Sequence, residues 1–234
     1  MPREVEIEER MKPHFIAMFT VTSLVASVAL GEIYVDPTGD IATGNPNLDI
    51  TQVEVTDNGE DLFVSMTVAD LDADWGNYLL FTSLPGTSGS GDNDNPWGRN
   101  ISGLEDANWF SGTWLTGGGG IDTQTYFGGM GWQPGTWDIF DSSVSIDWAT
   151  STITWTYSDF VSMASAMGHS GIDFEVATTG GNWGDPAIDT LGGQGGNWGE
   201  GSTGAWTYHE FTGVPAPGAL ALLMMAGIGR RRRS

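Results

Sequence analysis

Asp70, Asp72 and Asp74 form the sharpest local cluster of chemically competent side chains in the chain. Three carboxylates at two-residue spacing can converge on one hard cation through oxygen. The run opens like an EF-hand loop, but that loop needs Gly at its sixth position and Glu at its twelfth. Trp75 and Phe81 stand there instead. The expectation is therefore a loop-built calcium site at a strand end. Asp36 and Asp40, with Asp49 behind them, make a second candidate, and Asp92 with Asp94 a third. The plainer reading is solvated loop carboxylates, because acids are abundant enough here to cluster by chance.

The second constellation is aromatic. Gly181-Asn182-Trp183-Gly184-Asp185 recurs fifteen residues later as Gly196-Asn197-Trp198-Gly199-Glu200. Trp97 and Trp132 also have glycine close by. Indoles exposed in glycine loops stack on sugar rings, and neighbouring Asp or Asn can bond hydroxyls. The competing reading has these rings lidding the ends of the fold, since Trp is usually mostly buried.

Other chemistry has little material. His169 and His209 are the histidines of residues 32–213, which contain no Lys and no Cys. Amine and thiol nucleophiles are therefore excluded there, and no histidine spacing suits zinc. No G-x-S-x-G elbow is present, and Gly117–Gly120 lacks the Lys and Ser/Thr of a phosphate loop. Paired carboxylates can hydrolyse glycosides, but no pair stands out among so many acids.

The elements that must position these groups read as short strands. Ile33–Val35 opens the series. Leu48–Val55 and Leu62–Val68 alternate on either side of Asn58-Gly59, a strong hairpin signal. Tyr78–Phe81 is apolar throughout, as a strand buried on both faces would be. Ile101–Leu104 and Trp109–Leu115 follow, and Thr123–Phe127 is expected to pair with Thr136–Phe140. Val144–Trp148 and Ile153–Tyr157 make a second hairpin. One helix is expected, capped by Ser158, with Phe160, Met163, Ala164 and Met167 on its apolar face and Gly168 at its end. Ile172–Ala177 is a strand, Gly180–Gly204 a long glycine-rich loop, and Trp206–Phe211 the last strand. Nine or ten strands with at most one short helix predict an all-β, jelly-roll-like antiparallel sandwich.

Charge bounds the partners. The chain holds 30 Asp and Glu against eight Lys and Arg. Setting aside the first 31 residues and the last 21, the central domain keeps 26 acids and one base, Arg99. Nucleic acid and anionic membrane surfaces are excluded as partners by that balance. Calcium, salt or a cationic polymer fit it better.

Both ends read as addresses. Met11-Lys12 followed by the apolar Phe15–Leu30 fits a secretory signal, with cleavage expected at Ala29-Leu30-Gly31 or Ser27-Val28-Ala29. Met11 is the expected start, because the first ten residues carry four glutamates. At the other end, Pro215 and Pro217 precede the uncharged run Gly218–Ile228, and Arg230, Arg231, Arg232 and Arg233 close it. A bilayer-spanning helix needs about 17–25 apolar residues, so the run makes only a transient membrane anchor. Val214–Ser234 resembles the PEP-CTERM sorting signal of exported bacterial proteins, with Ala216 standing where Glu is usual. The resemblance implies export, processing by a membrane exosortase and residence at the cell surface. The domain order expected is thus a leader over 1–31, an acidic β-sandwich over 32–213 and a sorting tail over 214–234. The leading functional expectation is a non-enzymatic surface or extracellular-matrix protein. A carbohydrate-binding module using the loop tryptophans is second, and an extracellular glycoside hydrolase third.

Overall fold

The computed structural model describes residues 31–71, 75–135 and 140–212. The expected leader (save Gly31) and sorting tail lie outside them. Among the described residues the strands run β1 (Glu32–Val35), β2 (Ile50–Asp57), β3 (Leu62–Val68), β4 (Asn77–Ser83), β5 (Ile101–Ser102), β6 (Trp109–Trp114) and β7 (Gly120–Tyr126). They continue as β8 (Trp132–Pro134), β9 (Ser142–Asp147), β10 (Thr152–Tyr157), the helix α1 (Phe160–Ala166), β11 (Gly171–Thr179), β12 (Ala187–Thr190), β13 (Ser202–Thr203) and β14 (Thr207–Glu210). Two antiparallel sheets stack as a sandwich. The first has order β1-β2-β3-β10-β9 and the second β12-β11-β4-β6-β7-β8, with β14 also paired to β11. A small parallel pair, β5 and β13, stands apart.

The first sheet shows the alternation its sequence dictates. Val53, Val55, Val64, Met66, Ile153 and Trp155 point into the core and are fully buried. Ser65 and Thr67 face outward and share hydroxyl bonds with Thr154 and Thr152 at 2.8 and 3.0 Å. Asn58-Gly59 turns the β2–β3 hairpin, with Gly59 at φ 84° and its N–H donated to Asp57 Oδ1. Two buried side-chain bonds rivet the sheets together: Trp155 Nε1 donates to Thr113 Oγ1 at 2.9 Å, and the Ser111 and Tyr157 hydroxyls meet at 2.7 Å.

Strands β4 and β11 of the second sheet are buried on both faces. Tyr78, Leu80, Phe174 and Val176 face the sandwich core. On the opposite face, Leu79, Phe81, Phe110 and Ala177 form a second apolar cluster with Ile101, Leu104, Ala107 and Ala187. Residues 84–108 and 180–206 roof that face. Glycine lets the two roof segments lie close to each other: a Cβ on Gly204 would fall 2.6 Å from Leu104. Glu175 anchors it. This fully buried carboxylate accepts the N–H groups of Gly192 and Ala205, at 3.1 and 2.8 Å, and that of its neighbour Val176.

Four local expectations need correction. The partner of β7 is β8, reached through the turn at Gly128–Gly131, with Tyr126 opposite Trp132. Of the expected strand Thr136–Phe140, residues 136–139 lie outside the described ones, and Phe140 is a core residue outside any strand. The helix is not capped by Ser158: Asp159 occupies the N-cap at φ 61°, without a side-chain cap. The β2–β3 turn takes over that role, since Val161 N–H donates to Glu60 O at 2.8 Å and Asp159 N–H to Asp61 Oδ1 at 2.9 Å. Met167 falls past the helix end and is exposed rather than on the apolar face. Finally, the glycine-rich stretch 180–204 contains β12 and β13.

Burial pushes the Glu175 carboxyl from its ordinary 4.5 up to about 8, against the pull of its backbone donors. Between those values the folded protein keeps a proton that the unfolded chain has released. This group's stabilisation is therefore fullest below pH 4.5 and is lost as pH rises to about 8. Urea denaturation of the protein and of Glu175→Gln from pH 5 to 8 should show the wild-type advantage shrinking with pH. The slope is at most about 1.4 kcal/mol per pH unit; a difference constant with pH contradicts the assignment.

Candidate functional site

An open groove of about 580 Å³ lies on the roofed face of the second sheet. Asn77 on β4, Trp114 on β6 and Asp122 on β7 supply its floor from the sheet. Trp97 and Arg99 come from the first roof segment, and Trp183 from the second. Trp97 is seated firmly. Its indole lies against Gly112, where a Cβ would fall 2.2 Å from the ring. Its Nε1 donates to Asp122 Oδ2 at 2.7 Å, and the Arg99 guanidinium sits 5.5 Å from its ring centre. The backbone of Trp97 has φ 58°. A bulky side chain seldom takes that left-handed conformation, and such strain persists only when the surroundings over-determine it.

Asp122 also accepts a bond from Gln124 Nε2 at 2.8 Å, again on Oδ2, so Oδ1 remains as an acceptor. Arg99 is only 4 % exposed. It donates to Asn182 O and lies 4.0 Å from Asp185, which ties the two roof segments together. Burial lowers its pKa and Asp185 opposes the shift. Trp183 is different in kind: it is 83 % exposed, with its indole over Gly98. The groove thus offers the fixed indole of Trp97, the Trp114 indole of its floor and the projecting indole of Trp183 beside a carboxylate and an amide.

Of the four tryptophans expected to meet a sugar, Trp97 and Trp183 come together here. Trp132 does not: it belongs to β8 of the sheet, its Nε1 donates to Asp94 O at 2.6 Å, and its ring packs on Tyr126 and Phe110 beneath the roof. Trp198 stands against Trp75, ring centres 6.1 Å apart. The two copies of the repeat nevertheless fold alike. Asn182 and Asn197 each donate N–H to the acid three residues on, and Gly184 and Gly199 both take positive φ. The repeat encodes a turn, and the surroundings decide what its indole faces. Trp114, Asp122, Asn77 and Arg99 went unforeseen. Trp114 and Asp122 face outward only because Thr113 and Ser111, their out-of-phase neighbours, point at the first sheet.

The acids sort as sharply. Asp70 is exposed, and Asp72 and Asp74 lie outside the described residues. Asp92 is exposed and accepts Gly103 N–H at 2.7 Å, closing a turn. Asp36 and Asp40, in contrast, meet Asp189 of β12, with one oxygen from each within 4.8 Å of the others. Asp49, close to Asp36, accepts Gly39 N–H through both oxygens. Burial, then the charges of Asp40 and Asp49, pushes Asp36 up to about 7. Burial pushes Asp189 up to about 7 as well, with Asp36 and Asp40 adding to it and Ile50 N–H opposing.

No protein-family model matches the chain, and no curated protein proves similar to it. The seat of Trp97 can be tested directly. Gly112→Ala places a methyl group inside the indole's contact surface, and overpacking of this kind costs about 1–3 kcal/mol. The variant should unfold at lower urea and show an altered near-ultraviolet circular dichroism; an unchanged midpoint and spectrum would mean that Trp97 is not seated there.

Proposed function

We propose that this chain is an exported, non-catalytic cell-surface or extracellular-matrix protein that adheres to neutral polysaccharide through the Trp97–Trp183 groove. The observation that carries this reading is Trp183, a large apolar ring 83 % exposed at the lip of a groove with a second, fixed indole. Pyranose rings present C–H faces that stack on indoles, and their hydroxyls suit acceptors and donors such as Asp122 Oδ1 and the Asn77 amide. The groove's scale is that of small-ligand sites, which run about 300–1,000 Å³. A neutral glycan fits the charge, because 26 acids repel polyanions and the single base is buried. Asp122 is the one carboxylate lining the groove among the described residues. The paired acids that glycoside hydrolysis needs are therefore not assembled there, which supports adhesion over hydrolysis. Export by the leader and exosortase processing at the Pro215–Arg233 tail complete the proposal and place the domain where extracellular polysaccharide is found.

Affinity electrophoresis of the protein through gels containing neutral polysaccharides tests it. Trp183→Ala should weaken retardation at least tenfold, about 1.4 kcal/mol, while Trp198→Ala, outside the groove, stays within about twofold of wild type, below 0.5 kcal/mol. Equal retardation of Trp183→Ala and wild type by every retarding polysaccharide sinks the proposal.

A further inference from the structure

We propose that Asp36, Asp40 and Asp189 form a specific calcium site that fastens the loop after β1 to β12, across the two sheets. The site stands apart from the groove and does not depend on how the groove is read. Sequence spacing puts Asp36 and Asp40 in one turn, but the third ligand comes from 149 residues further on, in the other sheet. The cluster alone would be unremarked in so acidic a chain. What points to a ligand is the state of its atoms. Asp36 is only 8 % exposed, and its Oδ2 is fully buried with no hydrogen-bond partner. Thr190 Oγ1, at the wall of the same cavity, is buried and unpartnered too. A buried carboxylate oxygen without a donor is costly and is normally paired or bound to metal.

The cavity measures about 400 Å³. No base in the domain can serve it, because Arg99 is committed to Asp185 and Asn182. The donors are oxygen alone, which selects a hard cation over zinc or copper. Ligand number favours calcium over magnesium: calcium takes about six to eight oxygen ligands, whereas magnesium keeps several of its waters. One oxygen from each of the three carboxylates lies within 4.8 Å of the others. Thr190 Oγ1 and the glycine-rich backbone of 193–195 stand by to complete the larger oxygen shell. Asp189 is already aimed: its Oδ2 accepts Ile50 N–H at 2.7 Å and its Oδ1 accepts Thr190 N–H at 2.9 Å.

The test uses the full chain, with calcium chloride, magnesium chloride or chelator at matched ionic strength. Equilibrium dialysis should give a saturable calcium site, and saturating calcium should raise the melting temperature by about 5 °C over chelator, with magnesium giving less. Asp40→Asn, in an exposed turn, should weaken calcium binding at least tenfold. In chelator it should melt at or above the wild-type temperature, since it removes like-charge repulsion. That reversal of sign is something a merely structural aspartate would not produce. Asp70→Asn should keep the whole calcium shift. The proposal is overturned if wild type binds no calcium saturably, if Asp40→Asn keeps full affinity, or if Asp70→Asn abolishes the shift.

Discussion

Leu79, Phe81 and Phe110 stand on the outer face of the second sheet, and that apolar face has to be covered. The first sheet cannot do it, being already engaged on the other side through Trp155, Tyr157 and their partners Thr113 and Ser111. Among the described residues no α-helix is spared for the task either, since α1 packs into the main core through Phe160, Val161 and Ala164. The cover is made from two irregular, glycine-rich segments. Irregular backbone cannot satisfy itself, so it is held by buried polar groups: Glu175 beneath Gly192 and Ala205, Arg99 between the segments, and Asn95 Nδ2 donating to Ile101 O. Glycine is needed where the two segments of the cover meet, as at Gly204 over Leu104.

The two candidate sites follow from that construction. Where the roof leaves the sheet partly bare, the outward residues of β4, β6 and β7 become the floor of a groove, and the roof's own Trp97 and Trp183 become its sides. Where the second roof segment dips to form β12, it carries Asp189 to the acids following β1. A conventional sandwich with a solvated outer face would have neither feature. The acidity of the chain gives the two sites opposite tendencies. It turns polyanions away from the groove, and it draws cations to the three carboxylates.

The strong elements were legible because local chemistry and tertiary packing agree in them. The Asn58-Gly59 hairpin, the β9–β10 hairpin and the doubly buried β4 all stand as their sequences indicate. Failures occurred where neighbours overrode local preference. Ala187–Thr190 is short and bounded by glycine-rich turns, so its strand character comes from pairing with β11. Asp159 begins the helix because the β2–β3 turn supplies the bonds, and Ser158 is not used. The site residues divide on the same line. Trp183 was legible from its glycine surroundings, and so was the Asp36–Asp40 pair. Trp114, Asp122 and Asp189 were not, because each matters only through which face it occupies or which distant loop it meets. The repeated Gly-Asn-Trp-Gly turn marks the limit: two near-identical segments form the same kind of turn, yet one indole projects at a groove and the other leans on Trp75.

Hydrogen–deuterium exchange of the full chain, with and without a retained neutral polysaccharide, tests the central claim that the roofed face is the adhesive one. Slower exchange is expected, confined to the groove's own backbone at residues 97–100, 120–122 and 181–184. Protection on the outer face of the first sheet, with the groove segments unchanged, would contradict it.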